Sequence, residues 1–315
     1  MSQLLERQAA PAGAVEEPVV EIRGLTRRFG SRVALDAVDL TIPRGTVMGL
    51  VGENGAGKTT LIRHLLGLLR AQQGSVRVFG RDPVTDPEGV LSRIGYLQED
   101  ADLPGWMRVG ELMRYTRAFY PTWDDCLAER LRQEFGLDAG AAIRTLSKGQ
   151  RARAGLMAAL AYRPELLVLD EPSSGLDPIA RRDILTAIIR SVADEGRTVL
   201  FSSHLLSEVE RVADSIAMVR HGRILFCAPL DEVQEVHCRV TLRFPEPRPT
   251  APALASALRW DGSGREWTAI CRCGIAPAEA EAALLGGRVV HHDQPSLDEI
   301  FVAYSAAPSY AEAPS

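Results

Sequence analysis

Gly52-Glu53-Asn54-Gly55-Ala56-Gly57-Lys58-Thr59 constrains this chain more than any other stretch, because the octet has the form G-x-x-x-x-G-K-[ST]. Such a loop suits a ligand with many acceptor oxygens and several negative charges. Glycines lack a Cβ, so the backbone approaches closely and consecutive N–H groups turn inward on one anion. Lys58 is expected to reach the β- and γ-phosphates of a triphosphate, and the Thr59 hydroxyl to ligate Mg²⁺. The loop has to follow a strand and open a helix, whose positive N-terminal end adds to the field. Both flanks comply: residues 46–51 are a short apolar run of strand type, and residues 60–69 place Leu61, Leu65, Leu68 and Leu69 on one helical face.

A second set of chemical residues lies further on. Leu166-Leu167-Val168-Leu169-Asp170 is a continuous apolar run, as expected of a strand buried on both faces of a parallel sheet. Asp170 at its C-terminal end is placed to hold Mg²⁺, and Glu171 to polarise an attacking water as general base. Taken alone, an Asp-Glu pair at a strand end reads as two solvated carboxylates; here it precedes Pro172-Ser173-Ser174-Gly175-Leu176-Asp177-Pro178. Thr198-Val199-Leu200-Phe201-Ser202 is a third such strand, and His204 after it is placed to sense a γ-phosphate by hydrogen bonding.

Strand-like runs alternate with helical ones, which implies an α/β fold. Short strands are expected from Val19 to Arg44, then at 75–79 and 94–97, with mostly helical structure from 109 to 160. Val109, Leu112, Met113 and Thr116 share one helical face, and Leu127, Leu131 and Phe135 another. His221-Gly222, between residues 215–219 and 223–226, signals a hairpin. Beyond Val236 alternating and proline-rich segments follow. The expected organisation is a disordered tail at 1–18, a main domain carrying the phosphate loop at 19–235, a small α+β accessory unit at 236–304 and a disordered tail at 305–315.

Composition narrows the classes. With 46% hydrophobic and 24% charged residues the chain reads as globular. A net charge of −5 offers no basic excess for nucleic acid. No stretch approaches a membrane-spanning length, and no leader is legible at the N-terminus. The five cysteines are scattered, which favours reduced thiols, and Cys271-Arg272-Cys273 lacks a second pair at zinc spacing.

In this order, the motifs resemble the ATP-binding cassette ATPase subunit of a membrane transporter, over about residues 19–230. Walker A is 52–59, Walker B is 166–170 with Glu171 in the place of the catalytic glutamate, and the switch histidine is His204. The family's LSGGQ signature stands as Leu146-Ser147-Lys148-Gly149-Gln150, and the D-loop as Ser174-Gly175-Leu176-Asp177-Pro178. The resemblance implies a P-loop NTPase fold with a RecA-like core, an antiparallel β subdomain and a helical signature subdomain. It implies ATP contacts from residues 52–59 and Thr60. It also implies head-to-tail pairing of two such subunits around two ATP molecules, Ser147, Gly149, Gln150 and Asp177 acting across the interface. Phe29 is either the aromatic residue that stacks on adenine or a core phenylalanine.

Two departures stand out. Lys148 replaces a glycine of the signature, and its side chain is expected to point to solvent rather than to the γ-phosphate. In the Q-loop, Gly95-Tyr96-Leu97-Gln98-Glu99-Asp100 places Glu99 at the glutamine position without a gap, and Gln98 there only if one residue is lost. Either side chain then joins Thr59 and Asp170 at the metal. Trp106, Met107, Tyr115, Phe119 and Trp123 follow closely; they are expected to dock a membrane partner, with at least half of them in the core of their own segment.

The segment ending Pro295-Ser296-Leu297-Asp298-Glu299-Ile300-Phe301 resembles the tail of single-cassette subunits that serve separate permeases of the ABC-2 export type. Such a subunit is expected on the cytoplasmic face of the cell membrane, paired with a second copy or a paralogue and with a permease. The rival is a superfamily ATPase that acts without a permease. A chromosome-organising or repair ATPase is disfavoured, because the stretch between Thr59 and Leu146 is too short for a long coiled-coil insertion.

Overall fold

The structure is a computed structural model that describes residues 17–99, 102–193 and 196–306. The tails expected at the two ends fall largely outside the described residues, as does Asp100. The chain opens with β1 (Val20–Phe29), β2 (Arg32–Ile42), β3 (Val47–Val51), α1 (Lys58–Leu65), β4 (Gln73–Val78), α2 (Pro87–Leu91) and β5 (Ile94–Leu97). A helical stretch follows: α3 (Val109–Arg117), α4 (Asp125–Glu134) and α5 (Lys148–Leu160). Then come β6 (Leu166–Asp170), α6 (Pro178–Ala193), β7 (Thr198–Ser203), α7 (Leu206–Val212), β8 (Ser215–Arg220), β9 (Arg223–Pro229) and α8 (Leu230–Glu235). The last part holds β10 (Cys238–Arg248), β11 (Ala257–Cys271), α9 (Ile275–Leu284), β12 (Arg288–Asp293) and α10 (Leu297–Ala306).

These strands form three sheets. The central one has the order β5-β6-β7-β3-β8-β9, parallel except for β9. Its inner strands are apolar on both faces because both are covered. Met48 and Leu50 of β3 and Leu166 and Val168 of β6 face α1 and the antiparallel sheet β2-β1-β4. Val47, Val51, Leu167 and Leu169 face the helices on the other side. Each such side chain, fully removed from water, contributes about 1.5–3 kcal/mol before entropy is counted.

The third sheet, β11-β10-β12, packs its own core of Val240, Leu242, Phe244, Trp267 and Ala269 against Ala278 and Ala282 of α9. Helix α10 instead places Leu297, Ile300 and Tyr304 in the core of the central sheet. The Arg220 guanidinium donates to the Tyr304 carbonyl at 3.1 Å, which ties the last helix to β8.

Three local expectations are corrected. The segment Val19–Arg44 forms two long paired strands rather than several short ones. The helix after the phosphate loop stops at Leu65 instead of running to residue 69. Gly67 takes φ +68°, and a Cβ there would meet the Pro83 carbonyl oxygen at 2.2 Å, so the chain turns and leaves Leu68 exposed. Of Trp106, Met107, Tyr115, Phe119 and Trp123, only Met107 is buried. Helices α3, α4 and α5 fill their core with Leu112, Leu127, Leu131, Leu156 and Phe135 instead.

Candidate active site

Four parallel strands deliver their C-terminal ends to one edge of the central sheet, where ligand crevices form in such folds. β3 leads into Gly52, β5 into Gln98 and Glu99, β6 into Glu171, and β7 into His204. β7 lies between β3 and β6, with Val51 level with Ser203 and Asp170 level with Ser202. The register, rather than the sequence, therefore sets His204 between the phosphate loop and Glu171.

Lys58 is 5% exposed, and its ammonium donates to the Gly52 carbonyl at 2.6 Å and the Glu53 carbonyl at 3.3 Å. It also lies 3.0 Å from Glu171 Oε1. On the other oxygen, Glu171 Oε2 is 2.7 Å from His204 Nδ1. Glu171 takes φ +50°, a conformation that costs a non-glycine residue about 1–3 kcal/mol. A buried hydroxyl holds it there: Ser202 Oγ accepts from the Glu171 amide at 2.8 Å and donates to Asp170 Oδ1 at 2.7 Å. The Asp170 charge also reaches Tyr96, whose hydroxyl burial pushes up first and Asp170 pushes further.

The loop is closed by a tight backbone approach. A Cβ on Gly52 would lie 2.3 Å from the Val219 carbonyl oxygen, so only glycine fits. Helix α1 has no side-chain cap and no acidic residue in its first turn, which leaves its amides to an anion. A cleft of 340 Å³ runs along this end, lined by Phe29, Arg32, Ala34, Gly55, Gly57, Lys58, Thr59 and Thr60. Phe29 is 46% exposed with the Arg27 guanidinium 4.8 Å above its ring, so it is not a core residue. Arg32 donates to the Gly55 carbonyl at 3.0 Å. Sequence reasoning missed Arg32 and Ala34, which reach the cleft only because β2 folds back on β1; the turn at Gly30 was the available signal.

The signature residues do not line this cleft. Ser147 caps α5: its Oγ accepts from the Gln150 amide at 3.2 Å, and Gln150 Oε1 accepts from the Ser147 amide at 2.9 Å. Gly149 is buried against α6, where a Cβ would meet Ala180 Cβ at 2.9 Å. Asp177 caps α6, accepting from the Ile179 and Ala180 amides at 2.9 and 3.0 Å, and the Ala180 bond chiefly holds its carboxyl below the usual range. Lys148 departs from expectation. Its side chain lies along the D-loop, with Nζ 3.0 Å from where a Cβ on Gly175 would sit, because α5 packs beside that loop. Glu99 accepts from Ser174 Oγ at 2.8 Å, which joins the Q-loop to the D-loop, while Gln98 is exposed. No group of three or more His, Cys, Asp or Glu side chains among the described residues is arranged to hold a metal ion, Cys271 and Cys273 included.

A phosphate-binding loop, a strand-end carboxylate pair and a capped signature helix on this sheet define a P-loop ATPase of the cassette type. Residues 35–174 match the ABC transporter family. The chain is 35% identical to the daunorubicin/doxorubicin resistance ATP-binding protein DrrA of Streptomyces peucetius, over 92% of this chain and 93% of that one. It is 31% identical to the bacitracin transport ATP-binding protein BcrA of Bacillus licheniformis, over 69% and 72%. Among solved structures, an ATP-binding subunit of an ABC transporter superposes with a TM-score of 0.63 at 28% identity, covering 69% of this chain and 92% of that one. A dimeric post-hydrolysis state of the cassette MJ0796 bound to ADP and Pi shares the fold, with a TM-score of 0.60 at 21% identity, covering 67% and 98%.

The chain belongs to the ATP-binding proteins of ABC transporters. It binds ATP and is an ATPase, the nucleotide-binding subunit of a membrane transporter. No helix among the described residues is long and apolar enough to cross a membrane.

Proposed function

We propose that this subunit powers an exporter whose permease is a separate chain, and that it works at the cytoplasmic face of the membrane as one half of a head-to-tail ATPase pair. The observation that carries the hydrolytic reading is Glu171, held between Lys58 at 3.0 Å and His204 at 2.7 Å at the end of the central sheet. Export is supported by the match to DrrA, which extends over 92% of this chain and so takes in most of the residues after α8. The roles for which these relatives are named, daunorubicin and doxorubicin resistance for DrrA and bacitracin transport for BcrA, favour antibiotic-like small molecules as cargo.

In this reading the residues divide the work. Lys58, residues 52–57 and Thr60 hold the phosphates, while Phe29 and Arg32 meet the base and ribose end. The oxygen donors Thr59 and Asp170, with Glu99 or Gln98, suit a hard cation, and Mg²⁺ bound there would neutralise phosphate charge. Glu171 accepts the proton of the attacking water, and His204 fixes the carboxylate that does so. Ser147, Gly149, Gln150 and Asp177, gathered at the starts of α5 and α6 with Ser147 and Asp177 exposed, serve the nucleotide of the paired subunit. The exposed rings of Trp106, Tyr115 and Phe119 meet the permease.

Glu171→Gln tests this reading. It should bind ATP, turn it over on the order of a hundredfold or more slowly, and shift from monomer to dimer with ATP on size exclusion. Wild-type turnover would overturn the assignment. Co-purification of the wild-type chain with a multi-spanning membrane protein separates this reading from an ATPase that acts without a permease.

A further inference from the structure

We propose that Glu208 is a positioning residue for ATP hydrolysis: its buried carboxylate clamps the loop leaving Glu171 to the loop carrying His204. The inference rests on the roles proposed above for Glu171 and His204.

Glu208 lies on α7 and is 4% exposed. One oxygen, Oε2, accepts two hydroxyl hydrogen bonds. Ser173 Oγ donates at 2.6 Å and Ser203 Oγ at 3.0 Å. Both serines are buried, and they come from opposite sides of the site. Ser173 is two residues beyond Glu171; Ser203 ends β7 immediately before His204. The Ser203 hydroxyl also accepts from the Leu205 amide at 3.0 Å. His204 is thus bracketed, with its two chain neighbours tied through one hydroxyl to one carboxylate oxygen. The other oxygen, Oε1, lies 3.2 Å from Arg181 Nε, on α6 just after Asp177. One side chain therefore joins the segment after Glu171, the histidine loop and the helix that Asp177 caps.

Packing alone does not account for a carboxylate here. A buried ion pair stabilises a fold no better than apolar residues of the same volume, since desolvation offsets the attraction. A carboxylate differs from an apolar residue in accepting several bonds at fixed geometry. That geometry is what the Glu171–His204 contact needs, because neither residue sits in a regular element: Glu171 has left β6 with φ +50°, and His204 lies between β7 and α7. Displacing reacting groups by about 1 Å lowers rates on the order of a hundredfold.

The test compares turnover and ATP affinity in the full-length subunit for Glu208→Gln, Ser203→Ala and Ser173→Ala, each alone and combined with His204→Ala. Glu208→Gln should keep the ATP Kd within about twofold, since Lys58 and the phosphate loop are untouched, and lower kcat on the order of tenfold to a hundredfold. Ser203→Ala should lower kcat in the same way. In the His204→Ala background both losses should shrink to less than about twofold, because a residue acting through His204 has nothing left to position. Unchanged kcat in folded Glu208→Gln, an equal loss in both backgrounds, or a loss of ATP binding would each overturn the proposal. If Glu208→Gln does not fold, the serine variants decide on the same criteria. Should Glu171→Gln and His204→Ala themselves turn over ATP like the wild type, the site assignment fails; if they are slow and the Glu208 variant is not, only this inference fails.

Discussion

The Lys58 ammonium lies 3.0 Å from Glu171 Oε1, so the cation proposed to hold a phosphate is shared with the carboxylate proposed to activate the attacking water. The two groups compete. Glu171→Gln removes the competing charge and should bind ATP several-fold more tightly than wild type in titration calorimetry, beyond its loss of turnover. Lys58→Ala should lose ATP binding and turnover, and should also leave Glu171 buried without its cation, at a cost of about 3 kcal/mol in stability. Adding Glu171→Gln to Lys58→Ala should restore the melting temperature without restoring ATP binding. An unchanged melting temperature in Lys58→Ala would show that the pair contributes nothing to the fold.

Ser202→Ala should be destabilising and slow. Its hydroxyl serves the Glu171 amide and Asp170 Oδ1 together, in a fully buried position. An unsatisfied buried N–H costs about 1–3 kcal/mol, which denaturant unfolding would read directly. Turnover should fall as Glu171 relaxes from φ +50°. Ser202→Thr keeps the hydroxyl and should recover part of both.

Phe29→Ala should weaken ATP binding by about twofold to twelvefold, equivalent to the roughly 0.5–1.5 kcal/mol typical of ring stacking. Because the ring is 46% exposed, the melting temperature should hold within the scatter of surface substitutions. Phe29→Trp should bind as well as wild type. A large stability loss in Phe29→Ala with unchanged ATP affinity would return the ring to a packing role.

Glu99→Ala should raise the Mg²⁺ concentration needed for half-maximal ATPase, and Gln98→Ala should not. Glu99 is already tied to the Walker B side of the site through Ser174 Oγ at 2.8 Å. A carboxylate is the better ligand for a hard cation, so its loss should be felt first at low Mg²⁺. The reverse pattern would put Gln98 in the Q-loop role.

Trp106→Ala should abolish transport while basal ATPase and melting temperature stay near wild type. The indole is 78% exposed, and Tyr115 and Phe119, also exposed, stack edge to face with centroids 5.0 Å apart. Loss of ATPase together with transport would point to a folding defect instead.

The candidate site was legible in the sequence wherever local spacing carries it. Residues 52–59 specify a strand, a loop and a helix, and 166–171 a buried strand ending in two carboxylates. Lys58 and Glu171 were named from those patterns, and His204 from its place just after the apolar run 198–202. Local pattern also specified the alternation of strand and helix, since a strand buried on both faces must be apolar throughout. It overran at two places: α1 ends at the left-handed Gly67, closed by the bond from the Leu68 amide to the Arg63 carbonyl at 2.9 Å, and the rings after the Q-loop stay outside a core filled by other side chains. Only the tertiary structure brought β7 between β3 and β6, set Arg32 in the cleft, laid Lys148 against the D-loop and gathered Ser173, Ser203 and Arg181 on Glu208. The reason is physical. Periodicity reports which face of an element is buried, whereas strand order and side-chain networks are set by long-range packing and register, which no local window of sequence contains.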